Sequence, residues 1–248
     1  MKKILAIAAI AVLTIGGLLA QNTFRGTIIY KMTSTGEEPV QIPESSTAEI
    51  KVYDNKVLTS SQLFTGNPMA NYVLLDGYKN FVCMDLTQLF MYLSSKDVEL
   101  DYKGSSKILV THTYTQNDID SLTIPVTEGF YIEYVDGETK TICGEVAKKA
   151  IIHVFNDEGE DDPTVVWYCD TMGPDVNFLF NGVRGVGLEY SMNLGEGRQI
   201  TITANEIKKG KVKEVDMLLP SGYDSITNEE FKELFKQIQE ELEYLNEE

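Results

Sequence analysis

At 248 residues, the chain is long enough to bury a sizeable core. Its 38 acidic side chains against 21 basic ones give a net charge of −17, which excludes nucleic acid as a ligand and disfavours docking on anionic headgroups. Two histidines and three cysteines leave little material for metal or nucleophile–base chemistry.

Residues 1–20 read MKKILAIAAIAVLTIGGLLA: two lysines, an uncharged apolar stretch, and small residues before the polar Gln21-Asn22-Thr23. That order is a secretory leader, a signal peptide with its expected cut after Ala20. The competing reading, a membrane anchor, needs roughly 20 apolar residues in a row. Here Thr14, Gly16 and Gly17 interrupt a run at the short end of that length, and no basic stop-transfer cluster follows. No Cys follows it either, so a lipid anchor is not expected. Removing the leader with Lys2 and Lys3 leaves 228 residues and moves the charge from −17 to −19. The mature chain is expected in an oxidising compartment of a Gram-negative envelope: periplasmic, outer-membrane-associated or secreted, with no transmembrane segment remaining.

From residue 24 onward, short apolar segments alternate with turns. Residues 24–32 carry Thr27, Ile28, Ile29 and Tyr30, β-branched or aromatic side chains that suit a pleated surface. Gly36, Pro39 and Pro43 mark 35–46 as a loop. Asp54-Asn55 joins strands expected at 48–53 and 56–62, and Asp76-Gly77 joins 72–75 to 78–84. Residues 89–93 read as a continuation of the meander, followed by a strand at 108–114. Residues 130–135 alternate cleanly, with Phe130, Ile132 and Tyr134 on one face and Tyr131, Glu133 and Val135 on the other. Asp136-Gly137 then reads as a turn into 138–143. Strands at 148–155 and 164–169 bracket an acidic loop, and 187–193, 199–207 and 211–217 complete the series. Hairpin after hairpin predicts a mainly β fold with minor α, built on one antiparallel sheet of about ten strands, too large to lie flat.

The C-terminus changes period. Thr227 and Glu230 form a capping box, Ile226 and Phe231 a hydrophobic staple, and Phe231, Leu234, Phe235, Ile238, Leu242 and Leu245 a single apolar stripe. An amphipathic helix over 227–246 is expected to end a single domain spanning 21–248. Its stripe calls for burial, most simply against the sheet; a partner contact is the sharper alternative.

Two stretches carry a family resemblance. Asn181-Gly182-Val183-Arg184-Gly185-Val186-Gly187-Leu188-Glu189 resembles the GLPGLI signature of exported Bacteroidota proteins. Leu218-Leu219-Pro220-Ser221-Gly222-Tyr223 is similar to the P-x-G-Y ending of a related domain of unknown function. Thr139-Lys140-Thr141-Ile142-Cys143-Gly144, then Lys148-Lys149-Ala150 and Val165-Val166-Trp167-Tyr168, resemble that family's middle region. The chain departs from the pattern at Arg184, where the signature has Pro, at Gly187, where it has Ile, and at Ala147, where relatives often carry Cys. The resemblance implies a fold like the lipoprotein-carrier half-barrels: a curved antiparallel sheet with helices covering its concave face over an apolar cavity. It carries no catalytic residue to this chain.

The chemistry readable in the chain is thin. His112 and His153 each sit alone in a strand pattern. The run from Asp157 to Asp162 lacks the spacing of a specific calcium loop, and reads as a solvated hairpin tip. Gly182, Gly185 and Gly187 precede a strand rather than a helix, so they read as turn or bend glycines, not a phosphate loop. Among Cys83, Cys143 and Cys169 the favoured pair is Cys143 with Cys169, which flank the same predicted hairpin; no CxxC is present. No catalytic residue, metal site or cofactor is expected. The aromatic load of 13 Tyr, 10 Phe and one Trp points instead to binding, with Phe130, Ile132, Tyr134 and Trp167 as candidate ligand-binding residues. The partners this leaves are a lipid or other apolar small molecule and, alternatively, an envelope protein reached through a sheet edge or the last helix.

Overall fold

The protein is described from a computed structural model, at residues 24–36, 47–61 except 55, 71–113 except 78, 130–155, 161, 163–172 and 183–247 except 196. Among these residues twelve strands form one sheet: β1 (Gly26–Thr35), β2 (Thr47–Tyr53), β3 (Lys56–Ser61), β4 (Tyr72–Asp76), β5 (Lys79–Asp85), β6 (Lys107–Thr113), β7 (Phe130–Ile142), β8 (Glu145–Val154), β9 (Thr164–Cys169), β10 (Val186–Gly195), β11 (Arg198–Lys209) and β12 (Asp224–Ile226). Their spatial order is β12-β6-β5-β4-β3-β2-β1-β11-β10-β9-β8-β7, so the sheet is open, with β12 and β7 at its edges. Among the described residues two helices accompany it, α1 (Thr87–Ser94) and α2 (Asn228–Glu247). Two antiparallel meanders, β1–β6 and β7–β11, are therefore joined where β1 pairs with β11.

The sheet curls. Lys140 on β7 reaches Glu189 on β10 at 2.7 and 2.8 Å, although β8 and β9 lie between them in the sheet. In a flat sheet three strand spacings would separate them by roughly 14 Å. The bend is built into β7. Val135 pairs with Lys149 but Thr139 with Lys148, so Asp136, Gly137 and Glu138 form a wide bulge, with Gly137 at φ +80°. Beyond it the β7–β8 tip leans onto β11. The Cys143 thiol donates to the Ala204 carbonyl at 3.1 Å, and Lys209 pairs with Glu145 at 2.6 Å.

One face of the sheet carries the main core: Ile28 and Tyr30, Ile50 and Val52, Ala150 and Ile152, Val166, Leu188 and Tyr190 are all closed to solvent. Tyr30 lies across the small Ala204, its register partner, and donates to the Gly187 carbonyl at 2.7 Å. Burial pushes its phenol well above the ordinary 10.0, so the hydroxyl stays a donor. The two helices cover the same face at β5 and β6, where Leu234 and Ile238 of α2 and Leu93 of α1 pack on Val82, Met84, Ile108 and Val110. On the opposite face a 3-10 turn at Glu214–Met217 covers β3 and β4 through Met217 and Val212 against Leu58 and Leu74. The mainly β, large-sheet architecture expected from the hairpin pattern is the one observed.

Three local expectations are corrected. Residues 87–94 are helix, so 89–93 are not a strand: a five-residue apolar run fits either period, and its Leu and Met, with the preceding Gln88, favour helix. Asp136-Gly137 is a bulge inside one long strand. The hairpin turn falls instead at Cys143-Gly144, with φ of +50° and +84°, because both dipeptides supply the positive φ that either device needs. Residues 211–217 form no strand. β12, which no pattern announced, pairs with β6 in parallel. The capping box is present as read: the Thr227 backbone donates to Glu230 Oε2 at 2.7 Å, and the Glu230 backbone to Thr227 Oγ1 at 3.1 Å.

Candidate functional site

Strand register brings inner-face residues of β1 and β7–β11 into transverse rows. One runs Met32, Ile202, Tyr190, Val166, Ala150 and Tyr134. The next, nearer the end where β1 stops, contains Ser34, Ile200 and Met192 from β1, β11 and β10, and Thr164, Ile152 and Ile132 from β9, β8 and β7. Along this direction burial falls on β10 and β11, and on β8 only past Ile152, while Ile152 and Thr164 stay buried. Tyr190, Val166 and Ile202 are closed off, whereas Met32, Ile132, Val154, Met192 and Ile200 pack against the core only in part. The result is a rim of half-buried apolar side chains at one end of the curled sheet, two of them methionines, whose unbranched chains adapt to a variable contact.

Of the four residues expected to bind a ligand, Ile132 and Tyr134 lie on this inner face, in consecutive rows. Tyr134 is held firmly: its ring meets Tyr168 edge-on at 5.5 Å, the Arg184 guanidinium sits 5.2 Å over it, and its hydroxyl accepts from the Arg184 backbone at 3.3 Å. Trp167 falls on the other face, in register with Lys149 and Glu189, with the Lys140 ammonium 5.7 Å from its ring. The side chain of Phe130 lies outside the described residues. The missed rim residues Met32, Met192 and Ile200 carried only a weak signal, since lone apolar side chains in strands do not declare which end of a sheet they occupy.

Gly185 and Gly187 of the glycine motif are architectural, and Gly182 lies outside the described residues. Val183, Val186 and Leu188 enter the core, Gly185 turns at φ +70°, and Gly187 offers its carbonyl to Tyr30. Glu189 receives Lys140 and, at 3.2 Å, the Thr203 hydroxyl, which pins the bent β7–β8 hairpin to β10.

A charged cluster stands on the outer face. His153 Nδ1 lies 2.7 Å from Asp161 and Nε2 3.3 Å from Glu133, while Tyr131 stacks on the imidazole at 4.3 Å with planes 10° apart. The Asp161 hydrogen bond, aided by Glu133 and opposed by partial burial, holds the His153 pKa above the ordinary 6.5. The unfolded imidazole titrates near 6.5. The added stability is therefore fully present below that pH and is lost as pH rises through the folded value. A ring-proton NMR titration is expected to place the His153 midpoint above 6.5, and Asp161→Asn to lower it; a midpoint at or under 6.5 contradicts the clamp. No group of three or more His, Cys, Asp and Glu among the described residues converges as a metal site. Apart from Asp161, the acidic run 157–162 lies outside the described residues.

The three thiols are free. Cys143 occupies the turn five positions before Lys148, the partner of Tyr168. Cys169, one residue beyond Tyr168, stands opposite position 147 in that register, so Cys143 is offset from it by four residues, roughly 13 Å along the strand at about 3.3 Å per residue, well beyond disulfide reach. Near the opposite end of the sheet from the apolar rim, a groove of ≈510 Å³ is lined by Thr111, His112 and Thr113 of β6, by Ser225, Ile226 and Thr227, and by Asn228, Glu229 and Glu230 of α2. Asn228 Nδ2 and His112 Nδ1 approach to 3.4 Å across it. No helix among the described residues is long and apolar enough to cross a membrane.

No protein-family model matches the chain, so the resemblance to the GLPGLI signature stays at the level of those residues. No curated protein matches it in sequence. Among solved structures it is similar to a chain of the MucA/MucB complex of Pseudomonas aeruginosa, at 10% identity and a TM-score of 0.35, over 79% of this chain and 57% of that one, little more than half its length. It is similar to a LolA superfamily protein of Nitrosomonas europaea at 9% identity and a TM-score of 0.30, over 88% and 97% of the two chains. A DUF1329 family protein of Desulfovibrio piger follows at 5% identity and a TM-score of 0.25, over 81% and 91%. At this level the likenesses assign neither a family nor an activity.

Proposed function

We propose that this is an exported, non-catalytic binding protein of the cell envelope that takes an apolar group, such as an acyl chain, at the open end of its curled sheet. The observation that carries the reading is the half-buried rim formed by Met32, Ile132, Val154, Met192 and Ile200, continuous with the closed core behind it. Covering such a rim releases roughly 25 cal/mol per Å² of apolar surface before ordering costs. The leader-like first 20 residues support an envelope location, and the strong net negative charge disfavours adhesion of the rim to anionic membrane surfaces. The alternative use of the last helix as a docking face loses its main support, because Leu234 and Ile238 of its stripe are buried against β6.

A dansylated fatty acid tests the reading. The mature chain is expected to bind it saturably, with displacement by unlabelled palmitate. The double variant Ile132→Glu/Met192→Glu is expected to weaken binding at least tenfold, about 1.4 kcal/mol or more, with little change in melting, since both side chains are already partly in water. Trp167→Phe, on the other face, is expected to leave binding unchanged. No saturable binding by the parent chain, or equal binding by the double variant, overturns the proposal.

A further inference from the structure

α1 presents no charge to solvent. Leu93, with Leu89 and Phe90 in part, packs inward on the cluster at β5 and β6, and Phe90 meets Tyr102 edge-on at 6.0 Å. The outward side carries Met91 and Tyr92, 62% and 47% exposed, beside Gln88. Although 24% of the chain is charged, residues 86–95 carry no charge between Asp85 and Lys96. A surface helix of a globular protein ordinarily sets charged and polar residues towards water, and two adjacent large apolar side chains in that place call for a contact. They stand on a fixed support. The Thr87 backbone donates to Asp85 Oδ1 at 3.0 Å, and the Thr87 and Ser106 hydroxyls lie 2.8 Å apart. At the far end the Lys96 and Val98 backbones both donate to the Leu93 carbonyl, at 2.9 and 3.1 Å.

Register sets that support at the rim's end of the sheet. Cys83 of β5 pairs with Tyr72, Tyr72 with Ser60, Ser60 with Glu49, and Glu49 with Ile29 of β1. Asp85, two residues on, is therefore level with Lys31, and α1 starts just past the level at which Met32 opens the rim. The helix also covers the face on which the rim lies, through Val82 and Met84. One end of the molecule thus displays both the half-buried rim and the exposed pair on α1.

We propose that α1 is a docking lip for a lipid surface of zwitterionic headgroups, with Met91 and Tyr92 entering the boundary between headgroups and acyl chains and bringing the rim against it. The inference rests on the acyl-binding reading of the rim, since such a surface holds the rim's ligand. Charge selects the surface. A net charge of −17 disfavours anionic headgroups, whereas the uncharged stretch 86–95 has no ion to dehydrate on entry. A methionine adapts to disordered chains, and a tyrosine sets its ring in apolar surroundings and its hydroxyl in the wet layer. With two side chains inserted, the contact is reversible.

Flotation of the mature chain with phosphatidylcholine vesicles tests the lip. The parent chain is expected to float with them and to float less with phosphatidylglycerol vesicles; Met91→Glu/Tyr92→Glu is expected to float at least tenfold less than the parent. Tyr92→Trp in a Trp167→Phe background is expected to lose emission on phosphatidylcholine brominated along its acyl chains. Binding of dansylated fatty acid in vesicle-free solution separates the lip from the rim: the double variant is expected to bind it as the parent does. A parent chain that floats yet binds no fatty acid supports the lip and overturns the rim alone. A parent chain that does not float, equal flotation of the double variant, or unchanged emission of Tyr92→Trp overturns the lip. So does a dimer of the parent that Met91→Glu/Tyr92→Glu dissociates, which assigns the exposed pair to a second copy of this chain.

Discussion

A chain carrying Gly185→Ala is expected to lose about 3–5 kcal/mol of stability, the range of the most damaging single substitutions. Gly185 sits at φ +70°, where an L side chain is strained by roughly 1–2 kcal/mol. The larger part of the loss comes from space. A Cβ there would lie 2.2 Å from the Cys169 carbonyl oxygen and 2.7 Å from the Asp170 Cα. Both obstacles are backbone, so no rotamer change relieves them, and either β9 or the entry to β10 must shift. That entry is flanked by Val183 and Val186, both fully buried, so the shift would propagate into the main core. Gly77→Ala is the control. Its φ is +60°, but nothing lies within 4 Å of the added carbon, so only the conformational strain remains. Urea midpoints of the two variants measure the difference. If Gly185→Ala is no worse than Gly77→Ala, the close approach of β9 to β10 described above does not exist.

Truncating the last helix's buried contacts should unfasten one end of the molecule rather than the whole. Leu234→Ala and Ile238→Ala each remove side-chain atoms from positions 2% exposed and are expected to cost about 2–4 kcal/mol. Their apolar neighbours, Val82, Met84, Ile108 and Val110, form a cluster distinct from the one around Ile28, Tyr30 and Tyr190. Hydrogen exchange is therefore expected to accelerate first in β5 and β6, while amides of β1 and β10 keep their protection. Uniform acceleration throughout the sheet would show one cooperative unit. No acceleration at all would return the helix stripe to the role of a partner-binding face.

Much of the β architecture was legible because burial and alternation coincide. Residues 164–169 were read as a strand and are one, with Val166 and Tyr168 inward and Trp167 outward. The capping box at Thr227 and Glu230 was legible because its chemistry is local. What the residues could not disclose was partnership. Trp167 parted from Tyr134 because the face of a side chain is fixed by register, and a single step decides it. β12 escaped notice because three residues carry no period, and the groove it leaves beside Thr111–Thr113 escaped with it. The bulge at Asp136–Glu138 passed for a turn because both demand a residue tolerant of positive φ. The His153 clamp joins positions 8 and 20 residues apart, and only the folded hairpin brings Asp161 and Glu133 to one ring.

The seam between β1 and β11 has a consequence for how this protein comes into being. Gly26 and Lys209, 183 positions apart, are register partners. The first strand to emerge from a ribosome or a translocation pore must therefore wait for almost the last one before its second flank is satisfied. Each meander can zip along its own hairpins, but the two halves cannot be welded until residue 209 has arrived. Such wiring makes folding slow. On the proposed reading, in which the chain is exported, the same wiring would keep it loose while it is threaded across a membrane, the condition an export pathway that moves unfolded polypeptide requires.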